Sequence, residues 1–84
     1  MKTCFLCRRV GMTETHHIFG AAMRKKSDRL GLVVELCQEC HRKVHSDRNL
    51  MLFLHEHGQR KAMRENKWTI EDFRREFHKN YLGE

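Results

Sequence analysis

With 84 residues, the chain has room for one domain and too little interior for hydrophobic packing alone to hold it, so a further staple is expected. Its apolar fraction of 39% and charged fraction of 33% argue against a membrane-embedded protein, and no apolar run is long enough to span a bilayer. A net charge of +6 points to an anionic partner, because Lys and Arg are spread along the chain in a way that suits phosphate neutralisation by a folded surface.

The first segment carries Cys4 and Cys7, a knuckle followed by a turn over 8–13 in which Gly11 supplies backbone freedom. A short strand is predicted over Glu14–Ile18. Residues 21–30, AAMRKKSDRL, contain helix formers, but Gly20 and Gly31 bracket them closely, and a loop with one helical turn is expected. LVVEL at 32–36 is β-branched and apolar and forms the second strand of a hairpin-like pair. A short helix follows from Gln38 to about Ser46, starting inside the Cys37/Cys40 pair. Asp47 caps the next helix, Arg48 to about Arg64, with Leu50, Phe53 and Leu54 on one face and Gly58 weakening it. The last helix opens at Thr69, with Asp72 three residues on in capping-box register, and its stripe of Ile70, Phe73, Phe77 and Tyr81, with Trp68 beside it, is expected to pack against the first half. With no proline, repeat or low-complexity tract, one domain is expected over 1–84, with a core over 1–46 and a helical extension over 47–84.

The four cysteines form two C-x2-C pairs, Cys4/Cys7 and Cys37/Cys40. A two-residue gap presents both thiolates to one ion, so the pairs read as a tetrahedral zinc site rather than as disulfides. No signal peptide precedes Cys4, which fits a reducing cytoplasm. Structural zinc contributes about 10–16 kcal/mol in small peptides, more than this core would supply.

Four histidines need a separate account. His41 and His45 are four apart on a helix and share a face, so they can grip one ion together. His16 and His17 are adjacent on a strand and point to opposite faces, so one can bind metal while the other is free for chemistry. That division suits phosphodiester hydrolysis, in which a metal stabilises charge on the phosphate and an imidazole takes the proton from water. His55, His57 and His78 lie in the later helices and are read as surface or packing residues.

C4-x2-C7, THHIFG and LVVELCQECHRKVH together resemble an HNH endonuclease of the ββα-metal (His-Me finger) class, in its small zinc-stabilised, phage-type form. The resemblance covers residues 4 to 45, about half the chain. It implies an α+β fold with additional C-terminal helices, and a metal-dependent enzyme that hydrolyses DNA phosphodiesters. His16, His41 and His45 would hold the catalytic divalent ion, His17 would be the general base, and Cys4, Cys7, Cys37 and Cys40 would hold a separate structural Zn2+. Three imidazoles without a carboxylate suit Zn, Mn, Ni or Co on ligand grounds, and family behaviour allows Mg. The expected partner is DNA, met through its phosphates by Arg24, Lys25, Arg42 and Lys43, with a homodimer or a larger phage assembly open and no membrane.

One position departs from the family. Many members carry an asparagine shortly before the second cysteine pair that fixes the loop and the base imidazole; counting back from Cys37, that position falls at about Leu32. Ser27 and Asp28 are the nearby candidates to orient His17. The departure motivates a second reading, a zinc-stabilised DNA-binding accessory or regulatory protein on the same fold with weak or no catalysis.

Overall fold

A computed structural model describes residues 1–83. The chain is α+β: strands β1 (Lys2–Thr3), β2 (Val10–Gly11), β3 (Glu14–His17) and β4 (Val33–Leu36), and helices α1 (Arg24–Arg29), α2 (Gln38–Ser46), α3 (Arg48–Asn66) and α4 (Ile70–Phe77). Strands β1 and β2 form one antiparallel pair, and β3 and β4 another. Among the described residues no helix is long and apolar enough to cross a membrane.

The register of β3 on β4 sets the site. His16 sits opposite Val34, and His17 opposite Val33. Cross-strand partners share a face, and Val34 and Leu36 are buried, so His16 lies on the core side and His17 on the other. The ladder ends at His17, one residue short of the expected strand, although the Ile18 amide still donates to the Leu32 carbonyl at 3.0 Å. On the outer face Glu35 accepts from the Thr13 and Thr15 hydroxyls, both at 2.7 Å, which holds its carboxyl below the usual range. The Glu35 carbonyl accepts from the Phe5 amide at 2.7 Å, tying the cysteine knuckle to the sheet.

The knuckle turns differently from the expectation. Gly11 pairs with Lys2 inside β2, and the left-handed position is Arg8, with φ of 67°, whose amide donates to the Cys4 carbonyl at 3.0 Å. The 21–30 segment is also more ordered than expected: a 3-10 turn over Ala21–Met23 leads into α1. Two residues hold it there. Lys26 reaches α4, donating to the Glu76 carbonyl at 2.7 Å and pairing with its carboxylate at 3.2 Å. Ser27, fully buried, donates to the Leu32 carbonyl at 2.6 Å and accepts from the Phe19 amide at 3.3 Å. Gly31, at φ 72°, then turns the chain into β4.

Helix α3 is capped by Asp47, whose Oδ1 accepts from the Asn49 and Leu50 amides, and ends at Lys67 in the left-handed conformation. Its buried line is Leu54, Gly58 and Ala62, spaced four apart; Phe53, expected on that face, is 50% exposed. Gly58 is a point of close approach. A Cβ there would lie 2.7 Å from Ile18 Cγ2 and 2.9 Å from Phe19 Cε2, so the residue that costs helix propensity is the one that lets the segment after the histidine doublet dock. The Thr69/Asp72 capping box of α4 is complete in both directions. Phe73 and Phe77 are buried and meet Phe19, with ring centroids 5.6 and 4.7 Å away.

Candidate metal centres

The two cysteine pairs converge. The Sγ atoms of Cys4, Cys7, Cys37 and Cys40 all lie within 4.8 Å of one another, and those of Cys7 and Cys37 are 3.8 Å apart. Local geometry places them: the Cys7 amide donates to Cys4 Sγ, and the Cys40 amide donates to Cys37 Sγ as the side-chain cap of α2, both at 3.5 Å. Such N–H donors favour thiolate. At Cys4 burial opposes ionisation, but amides of Cys7, Cys37 and Leu6 together bring the thiol down to about 6. Burial, joined by the neighbouring sulfurs, pushes Cys40 up to about 12. Four thiols this close resist joint ionisation unless a cation sits among them, which is the donor set of a structural metal such as zinc.

The second cluster is made of imidazoles. One donor nitrogen each from His16, His41 and His45 lies within 4.8 Å of the others. His16 meets His41 and His45 edge-on, with centroids 5.2 and 5.6 Å away, and the two helical rings are 5.1 Å apart. His16 is buried, and its Nε2 has no hydrogen-bond partner among the described residues. Burial first, then the other imidazoles, lower its pKa to about 4, so the ring is neutral and its lone pair available. An orphaned, neutral imidazole nitrogen facing two more imidazoles fits a divalent ion. His41 Nδ1 donates to Glu14 Oε1 at 2.7 Å, which fixes the tautomer and leaves Nε2 as its lone-pair nitrogen. Glu14 was not singled out in the sequence, although its place two residues before His16 puts it on the same side of the strand.

His17 stands apart from this trio. Its Nε2 lies 3.1 Å from Asp28 Oδ1. Of the two candidates to orient it, Asp28 makes the contact, while Ser27 faces inward to the Leu32 and Phe19 backbone. Leu32 itself is fully buried and anchors its loop through its main chain, with its amide donating to the Ser27 carbonyl at 2.8 Å.

The histidines open onto a cavity of about 440 Å³ that His17 and Arg24 also line. Arg24 and Lys25 border a second hollow together with His17 and Asp28. Arg42 is exposed on α2, whereas Lys43 lies 3.7 Å from Glu39, which also takes Arg9 at 3.1 Å. His55 and His57 are packing residues: His55 stacks on Phe19 at 5.3 Å, and His57 tilts against Phe5 at 4.8 Å. His78 is exposed and ends α4 in the left-handed conformation.

No family model, curated protein or solved structure matches the chain. Fold and site together define a small α+β protein with a four-cysteine group that could hold a structural metal.

Proposed function

We propose that the protein is a metal-dependent endonuclease of the HNH, ββα-metal type, acting on DNA phosphodiesters. The observation that carries this reading is the split of the doublet: His16 turns its unpartnered nitrogen toward His41 and His45, while His17 takes the opposite face beside Asp28. His16, His41 and His45 would hold a divalent ion, Mg, Mn, Ni, Co or Zn. When bound, such an ion stabilises the charge that develops on the phosphate and the leaving oxygen.

The remaining work falls to side chains. His17 donates its Nε2 proton to Asp28, which leaves Nδ1 with the lone pair that accepts a proton from water. Arg24, on the wall of the same cavity, offers a guanidinium to a phosphate oxygen. Glu14 holds His41 in the ligating tautomer. The cysteine group supplies none of these side chains; it keeps the knuckle, the end of β4 and the start of α2 together.

Plasmid nicking across Mg, Mn, Ni, Co and Zn tests the reading, with cleavage expected for the native chain and lost for His17→Ala at unchanged zinc content. The second reading, a DNA-binding accessory or regulatory protein without the chemistry, draws on the exposure of Asp28, 73% at the side chain, which makes its hold on His17 a loose one. DNA binding without nicking under any of these metals would select it.

A further inference from the structure

The histidine cavity does not end at the histidines. A groove of about 850 Å³ runs between the start of α3 and the C-terminal segment, and it shares His45, Met51 and His55 with the cavity. Arg48 and Lys79 stand on its walls, both exposed and neither in an ion pair among the described residues. Among the described residues the carboxylate on the lining is Asp47, and its Oδ1 accepts from the Asn49 and Leu50 amides of the α3 cap.

The wall carrying Lys79 is built by a buried polar clamp. Gln59, fully buried on α3, accepts from the Tyr81 amide and donates to Asn80 Oδ1, both at 2.7 Å. Tyr81 then closes on His55 with ring centroids 4.5 Å apart, and the Lys79 ammonium lies 5.2 Å above the Tyr81 ring. A buried amide with two strong hydrogen bonds fixes this segment where an unclamped tail would fray.

We propose that this groove is a DNA-strand subsite, in which Arg48 and Lys79 neutralise phosphates beyond the part of the histidine cavity lined by His45, Met51 and His55. The proposal rests on the endonuclease reading for the direction of the strand, but its affinity arm stands without cleavage. Cations without a carboxylate partner among the described residues, along a groove that shares lining with the histidine cavity, match a polyanion in charge and in continuity. Arg48 and Lys79 act on affinity and register, because they lie outside the cavity that the three clustered imidazoles share with His17.

The test uses the full zinc-loaded chain and the double variant Arg48→Gln/Lys79→Gln. A matched control, Arg60→Gln/Arg64→Gln, removes two exposed cations of α3 that do not line the groove. Fluorescence anisotropy with a labelled oligonucleotide, titrated with salt, should show affinity reduced about tenfold and a log–log salt slope shallower by about 2 in the groove variant, with a smaller change in the control. Hydrolysis of bis(p-nitrophenyl) phosphate, which is too small to reach the groove, should be unchanged, while KM for DNA rises. Equal losses in the two variants, or no loss in either, overturn the subsite. If the native chain cleaves nothing but the groove variant still binds more weakly than the control, the subsite stands and the endonuclease reading falls.

Discussion

The cysteine cluster and the histidine cluster draw on the same two parts of the chain, the segment before β4 and helix α2 with its cap, yet they are completed differently. The cysteines supply four donors, two of them buried, and receive backbone N–H groups from the turns that carry them. The histidines supply three, set around a cavity that also admits His17 and Arg24. Four donors close a tetrahedral ion, whereas three leave a position for water or substrate. The contrast teaches that donor count and the space beside it, rather than metal affinity alone, separate a closed donor set from an open one.

The largest effect that would break this contrast is at the staple. Cys37→Ser removes a thiolate and the side-chain cap of α2 together, and loss of the cooperative thermal transition is expected, since structural zinc contributes about 10–16 kcal/mol in small domains. Circular dichroism with metal analysis checks it. His16→Ala should leave that transition and one tightly held zinc in place; unfolding as complete as in Cys37→Ser would erase the distinction between the clusters.

Next comes chemistry. His17→Ala should lower divalent-dependent DNA cleavage by about 10²–10⁴-fold with both metal contents unchanged, the range for loss of a general base. Single-turnover rates measure it, and a rate within a few-fold of the native chain would remove His17 from that role. Gly58→Ala should destabilise by about 1–3 kcal/mol, because the added methyl overlaps Ile18 and Phe19, less the helix propensity that alanine restores. A lower urea midpoint, with weaker divalent binding at the histidines than at the cysteines, is the expected signature.

The smallest effect is one of pH. Burial lowers the His55 pKa below the usual 6.5, with the Ile18 backbone opposing and the Lys79 charge adding. The unfolded chain therefore takes up this proton first on acidification. The stability His55 contributes is full above about 6.5 and is lost as pH falls through the window beneath it. The urea midpoint should drop between about pH 7.5 and about pH 5.5, and by less in His55→Phe, which keeps the stacking on Phe19 and removes the titration.

What could be read from the sequence was what depends on local spacing. Alternation along a strand separated His16 from His17, the four-residue interval put His41 beside His45, and the Thr69/Asp72 register marked the start of α4. What was missed depends on partners far along the chain. Helix α1 is held by Lys26 on Glu76, fifty residues away, a contact no window over 21–30 contains. Phe53 has the right residue type for the core but lies off the Leu54, Gly58, Ala62 line that Ile18 and Phe19 select. Asp28 and Ser27 were indistinguishable as partners of His17 until α1 turned one outward and the other in.

Cys37 and Cys40 form the cap and first turn of the helix that goes on to present His41 and His45. A single rigid rod thus carries donors for both clusters, and their phase is set by helical pitch. Inserting one residue between Cys40 and His41 would swing the imidazoles by about 100° around the axis relative to the thiolates. In this one stretch of helix the spacing of the chain therefore acts as a gauge between the thiolate cluster and the imidazole cluster.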